Sequence, residues 1–184
     1  IGSSRQLAEK VATLNPQADF DVVSNPEFLR EGAAIEDFMY PNRVIIGVES
    51  NRAKEMMKVL YRPLYLIETP VIYTNLETAE LTKYASNAFL ATKIAFINEM
   101  ADLCEQCGAD IQDVSKGMGL DQRIGKKFLQ ASPGYGGSCF PKDTLALAKT
   151  ARDFKTPATI VETVVSANTN RKKAMKNKII ELCE

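Results

Sequence analysis

The 184-residue chain contains no histidine. Ser-His-Asp and Cys-His catalysis are therefore excluded within it, and so is any zinc site that draws on imidazole. Cysteine is scarce. Of the four, Cys104 and Cys107 form one isolated C-x-x-C. A four-ligand metal site needs a second pair that the sequence does not supply, so no metal is expected. The pair falls late in a long helical stretch. A redox C-x-x-C belongs at a helix start, so these read as packed thiols of a reduced, cytoplasmic protein. No charge of one sign dominates: Lys plus Arg and Asp plus Glu number 23 each, so no global field favours nucleic acid or an anionic membrane as partner. No apolar run approaches the ~18 residues of a membrane span, and no signal-peptide pattern opens the chain. There is no G-x-G-x-x-G, because Gly117-Met118-Gly119 is followed by Gln122 where the third glycine would stand.

What is present divides in two. With 45% hydrophobic residues the chain can bury a sizeable core. Residues 1–74 alternate helix and strand. SSRQLAEKVATLN reads as a helix with Ser3 or Ser4 as N-cap. FDVVS is a short apolar strand ending at Asn25-Pro26, and RVIIGV (43–48) is a second, apolar throughout as strands buried on both faces are. Ser50 opens the helix NRAKEMMKVLY, and PVIYT is a third strand. This alternation is the pattern of a parallel sheet. From Thr74 the strands stop. Thr74 and Glu77 form a capping box, and the helix they open runs to Cys107, with Gly108 as its C′ residue. Leu81, Ala85, Phe89, Phe96, Met100 and Leu103 recur at helical spacing and are expected to face the core. Asp110 caps a helix ending near Gly117. A turn or two of helix follows around DQRIGKKFLQ, then a helix from Pro141 to Phe154. Thr156-Pro157 starts a last long helix reaching the end of the chain. The expected fold is therefore α/β: the end of a Rossmann-like parallel sheet over 1–74, then an all-α region over 75–184 with a long connecting helix. The opening helix and the absent glycine fingerprint read as a middle piece, with a nucleotide-binding unit upstream and a further domain after the last helix.

Three constellations carry chemistry. In GYGGSCFPKD (134–143) three glycines surround Cys139 just before an expected helix start, with Lys142 three residues on. A helix N-terminus and a cation favour a thiolate, and glycine leaves room for a ligand against the backbone. The alternative is a packed cysteine beside a turn. In NPEFLREGAAIEDF, Glu27 and Glu31 share one face if 27–37 is helical, at the carboxyl end of a strand where ligands bind in parallel sheets. The alternative is a solvated first turn. In TKYASNAF, Lys83 and Asn87 lie one turn apart on one face, a pair able to hold an oxyanion; taken alone, a surface lysine and asparagine is the favoured alternative. A thiol, carboxylates, a lysine and an amide without histidine suit one sequence of steps. An aldehyde is captured as a hemithioacetal, hydride leaves to form a thioester, and water releases an acid.

NPEFLREGAAIEDFMYPNRVIIG, ELTKYASNAFLATKIAFINEMADLCE, GLDQRIGKKFL and PGYGGSCFPKD together resemble the nucleotide-sugar 6-dehydrogenases, over nearly the whole chain and in the right order. The resemblance implies oxidation of C6 of a nucleoside-diphosphate sugar from alcohol to carboxylate with two NAD+. It also implies a homodimer formed through the central helical domain, and a C-terminal sugar-nucleotide domain not represented here. Cys139 matches the nucleophile. Lys83 and Asn87 match the pair that holds the C6 oxygen, Asp143 the acid that orders water, and Glu27 the carboxylate of thioester hydrolysis. Glu31 and Lys142 match residues near the nicotinamide. Glu27, Phe28, Leu29, Lys83, Asn87, Phe128, Leu129, Gln130, Ala131, Ser132, Tyr135 and Gly136 match the substrate wall. Arg123 matches an arginine reaching the neighbouring subunit's substrate. Ser138 before the cysteine and Phe140 after it resemble the UDP-glucose branch, with GDP-mannose as the alternative substrate. Two other readings stand beside these. One is a non-catalytic dimerisation module. The other is a β-hydroxyacid dehydrogenase relative, which carries a similar Lys-Asn pair but needs no cysteine.

Overall fold

The computed structural model describes residues 1–65 and 67–183. The elements run α1 (Ser3–Leu14), α2 (Ala34–Met39), β1 (Val44–Gly47), α3 (Asn51–Leu60), α4 (Arg62–Tyr65), β2 (Val71–Thr74), α5 (Leu76–Cys107), α6 (Ile111–Leu120), α7 (Cys139–Asp153) and α8 (Thr159–Cys183). They fall into two compact units, Ile1–Lys83 and Tyr84–Glu184.

In the first unit β1 and β2 pair in parallel, in register from Val44 with Val71 to Gly47 with Thr74. All four residues of β1 are buried, as its unbroken apolar run requires. The expected strand FDVVS does not form. Only Ser24 bridges to Gly47, and in the antiparallel sense. Beyond it Pro26 has no N–H to extend a ladder, and the Asn25 amide donates to the Ile45 carbonyl at 2.8 Å in place of backbone pairing. Gly47 is dictated by a close approach. A Cβ there would lie 2.8 Å from the Ala79 Cβ and from the Asn75 carbonyl oxygen.

Caps set the helix starts. Ser50 accepts from the Ala53 N–H at 3.0 Å, as its sequence position predicts. Neither Ser3 nor Ser4 caps α1. The N–H groups of Gly2 and Ser4 donate instead to the Glu80 carboxylate, at 2.5 and 2.8 Å. Likewise Thr74 does not cap α5. Asn75 does, accepting from the Thr78 N–H at 2.8 Å, and Glu77 turns to Arg5 at 2.7 Å. Asparagine at the position adjoining the helix outcompetes a threonine one residue further out.

In the second unit α5 ends with Gly108 in the left-handed region at φ 74°, and Asp110 caps α6 through Gln112 and Asp113. The helix α6 runs to Leu120, past Gly117. The next segment forms turns rather than helix: Asp121 accepts from the Arg123 N–H at 2.9 Å, and Gly125 has φ 75°. The helix α7 begins at Cys139, two residues before the expected Pro141. Lys155 at φ 55° and Pro157 delay α8 to Thr159, and Thr156 bonds the Phe154 carbonyl instead of capping. Glu184, where the expected last helix ends, lies outside the described residues.

The burial of α5 reverses the expectation. Leu81, Phe89, Phe96 and Leu103 are exposed, at 46%, 66%, 45% and 56%. The buried residues of α5 are Leu76, Ala79, Asn87, Ala88, Ala91, Ala95, Ile97, Asn98, Ala101 and Cys104, half of them alanine. Ala91 and Ala95 cluster with Tyr135 of the glycine loop and Val164 of α8. Small side chains let a loop and a neighbouring helix approach the α5 backbone, which a leucine or phenylalanine row would hold off. Among the described residues no helix is long and apolar enough to cross a membrane.

Candidate active site

In the first unit the segment 25–30 is neither helix nor strand, and side chains hold it. Glu27 and Glu31 do not share a helical face, because α2 starts only at Ala34, after Gly32 at φ 82°. The Glu27 carboxylate bonds locally instead, accepting from the Leu29 N–H at 2.7 Å. Its other oxygen accepts from the Lys83 ammonium at 2.8 Å. Beside this ion pair is the Phe28 ring, with Lys83 Nζ 5.5 Å and Arg43 Cζ 3.6 Å from its centroid. Glu31 is exposed on the following turn.

In the second unit Cys139 is the first residue of α7. Its thiol is half-buried and free, with Ser138 Oγ 3.6 Å away. One turn on, Asp143 is 1% exposed. A buried carboxylate needs partners, and it has two: the Asn87 amide donates to it at 2.6 Å and the Lys142 ammonium at 2.5 Å. That carboxylate hydrogen bond, against the opposing pull of burial, raises the Lys142 pKa above its ordinary value and keeps it charged. Lys83 and Asn87, one turn apart on α5, thus have different partners: Glu27 for one, Asp143 for the other.

The loop before Cys139 is fixed from behind. Asn168 of α8 accepts from the Tyr135 N–H at 2.7 Å and donates to the Tyr135 carbonyl at 3.1 Å. Asn98 accepts from the Ser132 N–H at 2.7 Å, and Arg171 donates to the Ser132 carbonyl at 3.0 Å. Gly134, at φ 123°, lies against Asn168: a Cβ there would be 2.7 Å from its Oδ1. Phe140 meets Phe128 and Tyr135 edge-on, at 6.1 and 6.0 Å between centroids. Burial pushes the Tyr135 phenol up, partly offset by its bond with Thr144.

Of the other expected wall residues, Leu129 is buried at 2% and so presents no side chain to solvent, while its carbonyl accepts from Ser115. Gln130 and Gly136 are exposed, and Phe28, Leu29, Phe128, Ala131 and Ser132 are half-buried. Arg123 extends into solvent, its side chain 89% exposed and paired with Asp121 at 2.6 Å. Sequence reasoning missed Arg43, Asn98, Asn168 and Arg171. Val164, Asn168 and Arg171 do recur at helical spacing, so a polar stripe beside a core valine was a readable signal for two of them. Among the described residues no group of three or more acidic or cysteine side chains is placed to hold a metal.

The chain also matches known proteins over most of its length. Residues 77–170 match the central domain of the UDP-glucose/GDP-mannose dehydrogenase family, and residues 1–65 match its NAD binding domain. The chain is 60% identical over 182 residues to UDP-glucose 6-dehydrogenase of Rhizobium meliloti (strain 1021), covering 98% of the chain and 42% of that protein. It therefore spans about two-fifths of the length of this relative. Among solved structures it resembles a UDP-glucose dehydrogenase from Pyrobaculum islandicum (TM-score 0.85, 41% identity, 89% of this chain and 37% of that one). It also resembles the GDP-mannose dehydrogenase of Pseudomonas aeruginosa (TM-score 0.63, 28% identity, 92% and 40%).

Proposed function

Because the chain belongs to the UDP-glucose/GDP-mannose dehydrogenase family, we infer that it carries the catalytic centre of an enzyme that oxidises C6 of UDP-glucose to the carboxylate of UDP-glucuronate. In this reading 1–74 close an NAD-binding domain, and 75–184 form a helical dimerisation domain of a cytoplasmic enzyme. The observation that supports it most is the buried Asp143, bound by Asn87 and Lys142 one helical turn from the Cys139 thiol.

The family's NAD binding domain would hold NAD+, which in this reading would serve as hydride acceptor from C6, twice per sugar. Lys142 fits an anionic dinucleotide: its side chain is 67% exposed and its charge is maintained by Asp143. Glu31 sits on an exposed turn, compatible with a place near the nicotinamide. Lys83 and Asn87 hold the C6 oxygen as its charge changes. The Cys139 thiolate adds to the aldehyde carbon, forming a C–S bond. After the second oxidation the carbon is a thioester. Water then adds to it, giving a proton to Glu27 or to water ordered by Asp143. The C–S bond breaks, the thiol is restored and the acid leaves. Phe28, Leu29, Tyr135, Gly136 and the 128–132 loop wall the sugar and its phosphates. The exposed apolar row of α5 suits a homodimer, and the extended Arg123 suits a reach toward a second subunit.

The test uses the full-length protein that contains this chain. NADH formed per sugar consumed is counted with UDP-glucose and, separately, with GDP-mannose. Two NADH per UDP-glucose is the expected result. Two per GDP-mannose would keep the mechanism and replace the substrate. One per sugar with free aldehyde would refute the role of Cys139.

A further inference from the structure

We propose that Arg43 is a positioning residue for acid release: stacked on Phe28, its guanidinium fixes the segment that presents the Glu27 carboxylate. The proposal rests on the role given to Glu27 above.

The Glu27 carboxylate rises from residues 25–30, which have no helical or strand hydrogen bonding of their own. A free segment of that length samples many backbone states, so its conformation depends on side-chain anchors. At its start the Asn25 amide donates to the Ile45 carbonyl, and the Tyr61 hydroxyl donates to the Asn25 side-chain oxygen. At its end the Arg30 guanidinium pairs with Asp37. Between them the anchor is Phe28, and what grips Phe28 is Arg43. A separation of 3.6 Å from guanidinium carbon to ring centroid is contact stacking.

Arg43 immediately precedes Val44, the first residue of the fully buried strand β1. The ring is thereby tied to a residue adjoining a buried strand. The same ring stands 5.5 Å from Lys83 Nζ, which is 2.8 Å from the Glu27 carboxylate. Arg43, Phe28, Lys83 and Glu27 form one contiguous chain of contacts.

The guanidinium has little else to do. Among the described residues no carboxylate pairs with Arg43. It is half-buried, and lost hydration alone pulls its pKa below the ordinary arginine value. Partial loss of water strengthens the attraction of a cation to an aromatic face.

The consequence is confined to one step. In acid release a water oxygen bonds to the thioester carbon, the water proton passes to Glu27, and the C–S bond breaks with its electron pair returning to Cys139. The two hydride departures do not use Glu27. A misaimed carboxylate should therefore let the thioester form and then persist.

The experiment compares the full-length wild type with Arg43→Met, Arg43→Lys and Glu27→Gln. Each is given UDP-glucose and NAD+, quenched at steady state, and the mass of the Cys139 peptide is measured. Glu27→Gln is expected to accumulate a uronyl adduct on Cys139. Arg43→Met should accumulate the same adduct with kcat about tenfold lower and KM within about twofold of wild type. Arg43→Lys, which keeps the stem and a cation, should fall between and serves if the methionine variant does not fold. If Glu27→Gln carries the adduct while the Arg43 variants turn over normally, the proposal is overturned and the reading of Glu27 stands. The same holds if they lose kcat without adduct, or lose KM alone. If Glu27→Gln also lacks the adduct, the reading of Glu27 fails first.

Discussion

Asn168 is the hinge on which the glycine loop rests, and its removal should be felt in both stability and turnover. Its side chain satisfies both backbone groups of Tyr135, at 2.7 and 3.1 Å, and both residues are buried, at 7% and 5% exposure. Asn168→Ala leaves a buried N–H and a buried C=O without partners. Each unsatisfied group costs about 1–3 kcal/mol, so the pair should cost about 3 kcal/mol. For a chain of this length that lowers the thermal midpoint by roughly 6–12 °C. Thermal unfolding followed by circular dichroism reads it directly. Asn168→Asp sharpens the test. Its carboxylate still accepts from the Tyr135 N–H but sets a second oxygen against the Tyr135 carbonyl. Protonation restores a donor there, so the folded state raises the pKa of the introduced acid. The restored bond is fully present below the ordinary aspartate range and is lost as pH rises through the raised value, so this variant should recover stability on acidification relative to Asn168→Ala. An alanine variant melting within about 2 °C of wild type, or an aspartate variant parallel to it at every pH, would refute the reasoning.

Other outcomes follow from single contacts. Burial pushes Glu80 up, but bonds from Ser4 and Gly2 outweigh it and hold the carboxyl below its usual range. Its stabilisation is therefore present above about pH 4.3 and lost as pH falls through the lowered value. Glu80→Gln should cost about 1–2 kcal/mol at pH 7 and much less near pH 3, by urea titration; an equal gap at both would count against the cap. Gly47→Ala places a Cβ 2.8 Å from Ala79 Cβ and 2.9 Å from Leu76 Cα, so a loss of about 1–3 kcal/mol is expected, and an unchanged urea midpoint would contradict the close approach. Cys139→Ser in the full-length enzyme should stop acid release, read by NADH-coupled turnover; full activity would end the thioester mechanism.

Local features were legible in the sequence. The strand β1 announces itself as an apolar run, and Ser50 and Asp110 cap helices through neighbours three residues away. The residues proposed to carry the chemistry stand out in the sequence as types, because Cys139, Lys142 and Asp143 lie within five positions of one another. What could not be read was pairing at a distance. Lys83 meets Glu27 and Asn87 meets Asp143, each across 56 positions, and no periodicity encodes either contact. Helical spacing in α5 correctly signalled a helix but not which face is covered. Large apolar residues suggested the core, whereas the close approach of Tyr135 and Val164 is possible only over alanine. The strand predicted at FDVVS failed because its continuation, Asn25-Pro26, bonds through a side chain instead of a ladder.

The carboxylate of Glu80 also carries a kinetic meaning. It closes the start of α1 across 76 and 78 positions, so the N-terminal turn of one helix is held by the second turn of another. The amides of Gly2 and Ser4 cannot be protected from solvent exchange unless that turn of α5 is formed. In native-state hydrogen exchange these two amides should open with the α5 turn as one cooperative unit, rather than fray with the rest of α1. The Gly2 and Ser4 amides would then report on the integrity of the helix that bears Lys83.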